Sequence, residues 1–259
     1  MFKGKMVTPA TPERVYTLCK IVEKKPITLA DLREKMEPQF LNNTTVYFND
    51  YKTAAEELGL ISISDNLVSL AVEPSTIRTI ESMRTYINSI LEEFPDGDFY
   101  LVTHAFFGME QNILNADTNV ANWATLMSRK VDRTIDAMEM CAWRFWASFL
   151  GFGYLHDMFL IPNADVFLED LICNANLEKN KRYSFGDFIE KIRPQCDIAL
   201  DTMSEKHMLN FGFSNGLRTL HDTGMIKLEH ILDQEDIWSL YPLGIHAIKS
   251  TVTNIMICR

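Results

Sequence analysis

Six histidines and five cysteines are the side chains of this sequence best suited to chemistry, and their spacing is the first guide to what they do. His156-Asp157 has the composition of an acid–base pair. Adjacent residues of a helix point to different faces, however, so a surface turn after Leu155 is the favoured reading. His207, His221, His230 and His246 crowd towards the end of the chain with no cysteine at metal-ligand spacing, which predicts solvated or capping histidines. Cys19, Cys141, Cys173, Cys196 and Cys258 are scattered and odd in number, and no C-x-x-C occurs, so neither a disulfide framework nor a zinc site is expected. The acidic pairs Glu56-Glu57 and Glu92-Glu93 read as charged faces. The sequence has no phosphate-cradling glycine loop, no H-E-x-x-H and no G-x-S-x-G. These patterns predict no catalytic residue, no metal and no cofactor. A nuclease or nucleotide-processing enzyme, built on His104, His156 and nearby carboxylates, is the lesser reading.

The elements that position such residues come in a repeat. Asp31-Leu32-Arg33-Glu34-Lys35-Met36-Glu37-Pro38-Gln39 and Asp187-Phe188-Ile189-Glu190-Lys191-Ile192-Arg193-Pro194-Gln195 share the pattern D-x-x-E-K-x-x-P-Q. Downstream, Phe48 precedes Gly59 by the same spacing as Phe213 precedes Gly224. Repetition of a module decides architecture before any single residue does. In the first copy, Thr11-Pro12-Glu13 starts a helix and Lys24-Lys25-Pro26 stops it, and Thr28 caps a second helix through Met36. A third runs from about Val46 to Leu58, closed by Gly59, and Leu60–Leu70 forms two strands turning at Asp65-Asn66. In the second copy, helices at Phe185–Ile192 and Ser214–Thr223 lead to strands at Met225–Leu228 and Ile237–Tyr241, while His246–Ile257 reads as helix or strand. Between the copies, helical patterns cover Ser75–Ile90, Tyr100–Phe107, Ala121–Ser148 and Ala164–Cys173, and the aromatic run Trp143–Phe152 reads as core. The expected class is mainly α, with two winged helix-turn-helix domains (1–74 and 181–259) flanking an acidic helical domain (75–180).

The charge of -10 is distributed unevenly along the 259 residues. Residues 1–74 and 181–259 are nearly balanced, while residues 75–180 carry most of the net negative charge. Non-specific coating of nucleic acid needs a local excess of Lys and Arg, which excludes the middle from that role. Met1-Phe2-Lys3-Gly4-Lys5 has no apolar signal core and Cys141–Leu155 is too short and broken for a membrane span, so a cytoplasmic protein is expected.

Winged helices present the third helix to the major groove. In the first copy the candidate nucleic-acid contacts are Thr44, Thr45, Tyr47, Asn49, Tyr51 and Lys52, with Lys24 and Lys25 nearby and Lys3, Lys5 and Lys20 able to gather on the same side. In the second they include Asn215 and Arg218, opposed by Glu229, Asp233, Glu235 and Asp236, which repel phosphate. The first copy is therefore expected to meet double-stranded DNA and the second to meet protein.

The Thr-Pro start (Thr8-Pro9, Thr11-Pro12), the run Trp143-Arg144-Phe145-Trp146 into Phe149-Leu150-Gly151-Phe152, then Ile161-Pro162 and a second module, resembles the DpdG family over nearly the whole chain. That family belongs to bacterial gene clusters that place 7-deazaguanine derivatives in DNA and restrict unmodified DNA. The resemblance implies a non-catalytic adaptor subunit in phage defence or restriction–modification, linking an ATPase or helicase to DNA, with no catalytic residues to carry over. The alternative is a DNA-binding transcriptional regulator.

Overall fold

Local capping chemistry sets the first elements. Thr11 accepts from the Arg14 amide and Pro12 fills the first turn of α1 (Pro12–Val22), where its missing N–H costs nothing. The chain then forms β1 (Ile27–Thr28), α2 (Leu29–Met36) capped by Thr28, α3 (Tyr47–Glu57), β2 (Ile61–Ser64) and β3 (Leu67–Leu70). Asp65 and Asn66 both take positive φ (49° and 64°), the backbone a two-residue hairpin needs. β3 lies in the centre of an antiparallel sheet of order β1-β3-β2, with Ile27 opposite Val68 and Ile61 opposite Leu70. The computed structural model describes residues 1–41, 47–115, 119–200 and 202–259.

Helices α4 (Ile80–Ile90), α5 (Asp98–Phe107), α6 (Val120–Val131) and α7 (Ala137–Phe149) follow, then a hairpin of β4 (Gly153–His156) and β5 (Phe159–Pro162), and α8 (Asp165–Asn174). The helical stretch expected over Ala121–Ser148 breaks at Asp132, whose left-handed φ of 53° ends α6. Asp136 and Glu139 restart the chain as α7 through a reciprocal capping box. α7 carries the aromatic core. Trp146 donates to the Ala10 carbonyl and meets Phe2 edge-on at 4.9 Å, while Trp143 donates to Thr103 Oγ1 at 2.9 Å. Where α4 and α8 pack, buried Asp170 accepts from Arg84 Nε (2.7 Å) and Nη2 (3.1 Å), Thr85 Oγ1 (2.6 Å) and Asn88 Nδ2 (2.8 Å).

The last part comprises β6 (Arg182–Ser184), α9 (Phe185–Ile192), α10 (Phe211–Asp222), β7 (Ile226–Glu229), β8 (Trp238–Ser239), β9 (Thr251–Val252) and β10 (Asn254–Ile257). Its main sheet has the order β6-β10-β7. With α8 standing where α1 stands, the succession helix, strand, helix, helix, strand occurs twice, and the last strand of each unit (β3 and β10) lies in the middle of its sheet, although β8 and β9 intervene before β10.

The structure corrects the expected fold class. Helix accounts for 51% and strand for 14%, with strands gathered in several small sheets, so the class is mixed α/β and not mainly α with winged domains around an all-helical middle. That middle holds the β4–β5 hairpin, because Asp157 (φ 53°) turns the chain back at the surface turn expected after Leu155 and the flanking residues pair as strands. The partner of β7 is β10 and not Ile237–Tyr241, since Trp238–Ser239 pairs instead with Thr251–Val252 in a separate two-stranded ribbon. Among the described residues no helix is long and apolar enough to cross a membrane.

Candidate nucleic-acid interface

Four lysines gather between the end of α1 and the α2 helix. α1 stops at Val22, and Pro26 forces its predecessor into extended backbone, so Lys24 and Lys25 leave the helix exposed. β1 then returns the chain against β3 and aims α2 so that Lys35 is also exposed. Lys20, Ile21, Lys24, Lys25, Ile27 and Lys35 line one open depression of about 430 Å³. Lys20 pairs with Glu23 at 2.6 Å. Among the described residues Lys24, Lys25 and Lys35 make no ion pair, so three ammonium groups face the solvent over a floor of two isoleucines.

The remaining lysines expected on this side are elsewhere. Lys3 sits 5.6 Å over the Phe94 ring, Lys5 pairs with Asp136 at 2.7 Å, and Lys52 lies 3.8 Å from Glu56. On α3, Tyr47 and Asn49 are exposed and Lys52 is half-buried. Tyr51, expected on the surface, is instead only 1% exposed and packs edge-on against Phe48 at 5.7 Å, because α3 needs this ring to fill its contact with α1. Thr44 and Thr45 lie outside the described residues. Lys52 is outnumbered on α3 by Asp50, Glu56 and Glu57, and the Phe48 amide in its first turn already donates to Glu37 Oε2 at 3.3 Å.

α10 has even less to offer a duplex. Arg218 is 3% exposed and donates to three backbone carbonyls: Ile248 (3.0 Å), Tyr241 (2.6 Å) and Lys249 (2.8 Å). Burial with no carboxylate partner lowers its pKa from the usual arginine value. Asn215 is half-buried and donates to the Pro162 carbonyl at 3.2 Å. A Cβ on Gly216 would stand 2.6 Å from the Ala164 carbonyl carbon, and one on Gly212 would stand 2.7 Å from the Phe107 ring. The helix is thus pressed flush against its neighbours. Asn215 and Arg218, expected as surface contacts, are structural.

Helix N-termini attract phosphate through unpaired amides and the dipole. At α9 and α10 the chain's own carboxylates occupy them. Glu110 accepts from the Phe211 amide of α10 at 2.7 Å, and Asp236 accepts from the Gly186 amide of α9 at 3.0 Å.

The histidines make local contacts. His156 is exposed at the end of β4 beside the Asp157 turn. His207 stacks on Trp238 at 4.4 Å, with Nδ1 3.4 Å from Asp236. His221 Nδ1 accepts from the Leu228 amide at 3.1 Å, and burial lowers this imidazole's pKa. His246 Nε2 lies 3.1 Å from both oxygens of Asp222. His104 Nδ1 is 3.3 Å from the Asp197 carbonyl. Among the described residues no three His, Cys, Asp or Glu side chains come together as metal ligands. Neither acidic pair is simply a charged face. Glu57 accepts from the Met1 amino group at 2.8 Å, and half-buried Glu92, its pKa raised by burial, accepts from Tyr100 (2.5 Å) and the Ile198 amide (2.9 Å).

Comparison with family models, curated proteins and solved structures finds no match. The site therefore rests on its own geometry. Lys35 was missing from the expected contacts, although the repeated D-x-x-E-K-x-x-P-Q pattern contains it. Its place beside Lys24 depends on the two-residue strand β1, which pattern alone did not mark.

Proposed function

We propose that this chain is a non-catalytic adaptor that holds a nucleic-acid backbone in the lysine groove between α1 and α2 and meets protein through its other surfaces. The observation that carries this reading is the groove itself: Lys24, Lys25 and Lys35 without acidic partners, on a chain whose net charge is -10. Lysine is a point charge without the bidentate fork of arginine, so such a groove suits phosphate better than base edges. A regulator that reads a site through α3 or α10 gains no support from an acidic α3 or an inward-packed α10. The DpdG resemblance is compatible with an adaptor role and suggests an ATPase or helicase partner in a DNA-restriction or phage-defence system.

Fluorescence anisotropy with labelled duplex and single-stranded oligonucleotides at low salt tests the proposal. Wild type should bind, and the K24E/K25E variant should bind at least about tenfold more weakly, because phosphate affinity resides in these charges. Both lysines are exposed, so circular dichroism should show an unchanged fold. If wild type binds neither oligonucleotide at low salt, the nucleic-acid part of the proposal fails.

A further inference from the structure

The loop between β7 and β8 is apolar and acidic, projects outward and is hydrogen-bonded at both ends. Leu232 at its tip is 77% exposed, with Ile231 and Ile237 also exposed and Asp233 and Glu235 beside them. One side of the loop is pinned by the Ile231 amide, which donates to Thr253 Oγ1 at 2.9 Å. The other is pinned where Asp236 accepts from Gly186 at 3.0 Å and from Trp238 Nε1 at 2.9 Å. Asp233 holds a left-handed φ of 72° at the turn. An exposed leucine on a pre-shaped support loses little conformational freedom when it binds.

The lysine groove has the complementary character: an apolar floor of Ile21 and Ile27 rimmed by Lys20, Lys24, Lys25 and Lys35. None of the groove's lining residues belongs to the β7–β8 loop, so the two features do not meet within one molecule. We propose that the β7–β8 loop of one copy docks in the α1–α2 groove of a second copy, with Leu232 over Ile21 and Ile27, and Asp233 and Glu235 among the lysines. Charge complementarity selects this occupant, since the groove is basic and the projecting apolar loop is acidic. Such a contact joins different surfaces of the two copies, so it propagates head to tail into a ring or an open chain. The contact holds whether or not the groove also takes nucleic acid, and the loop competes with phosphate for the same lysines.

Sedimentation velocity of full-length, nucleic-acid-free protein provides the test. Wild type should gain mass with concentration, whereas K24E/K25E alone and D233K/E235K alone should each stay monomeric. An equimolar mixture of these two variants should associate again, because each groove then meets a loop of opposite charge. L232S, which leaves the charge unchanged, should lose association. Wild type that stays monomeric up to about 1 mM, the weak end of specific affinities, would overturn the proposal. A mixture that fails to associate, or an L232S variant that associates like wild type, would overturn it too. Because no oligonucleotide is present, these outcomes are separate from the anisotropy result.

Discussion

The carboxylate of Asp236 reaches across from the β7–β8 loop to the amide of Gly186, 3.0 Å away in the first turn of α9. Gly186 is shaped to this contact, for a Cβ there would fall 2.5 Å from Asp236 Oδ2. Asp236 also accepts from Trp238 Nε1 and faces His207. Asp236→Ala should cost about 1 kcal/mol of stability, the scale of a helix-terminus carboxylate with a net hydrogen bond. Hydrogen exchange should show the amides of 230–237 opening faster while those of α10 keep their protection. Equal exchange in the two proteins would show that Asp236 does not hold the loop.

Asp170 gathers Arg84, Thr85 and Asn88 of α4 onto α8. Removing one partner from a buried ion pair leaves the other charge uncompensated, which is far costlier than losing a surface pair. Asp170→Ala should therefore destabilise the protein by about 3 kcal/mol in denaturant titration. The exposed pair Lys181–Glu178 provides the contrast: Glu178→Ala should change stability by about 0.5 kcal/mol or less.

Glu57 gives a pH dependence of defined sign. Burial pushes its carboxyl up, but the Met1 amino group and the Phe2 and Lys3 amides together hold it below its ordinary value of 4.5. A depressed carboxylate contributes stability that is present above its unfolded pKa and lost as pH falls through its folded pKa. Glu57→Gln should thus be about 2 kcal/mol less stable than wild type at pH 7, the scale of hydrogen bonds to a charged group. The gap between the two melting curves should close as the pH drops below 4.5.

The groove also predicts a salt dependence. If the three unpaired lysines (Lys24, Lys25 and Lys35) neutralise phosphates, log affinity should fall against log salt with a slope of about -2.7 on duplex and about -2.1 on single strands. Lys24→Ala with Lys25→Ala should flatten the duplex slope by about 1.8. An unchanged slope would move the contact away from this groove.

Much of the local structure was legible because its causes are local. Thr11 and Thr28 cap α1 and α2, Asp65-Asn66 turns the first hairpin, and Gly59 and Gly224 take the positive φ that closes α3 and α10. What depends on distant partners was not. Tyr51 and Arg218 have polar atoms that favour a surface reading, yet one fills the α1–α3 contact and the other is wrapped by carbonyls more than twenty residues downstream. The partner of β7 was misplaced for the same reason, since Ile237–Tyr241 and Asn254–Ile257 are both apolar and only tertiary pairing chooses between them.

β10 lies between β6 and β7, which do not pair with each other. In the first unit, β2 and β3 are joined by two residues and zip up as soon as they are adjacent. In the second, β6 and β7 must wait for residues 254–257 to return across a long excursion, at a larger loop-closure cost. Two units that share their succession of elements up to β2 and β7 therefore have different folding clocks. The first sheet should be protected early in refolding, and the second should lag until β10 arrives between its neighbours.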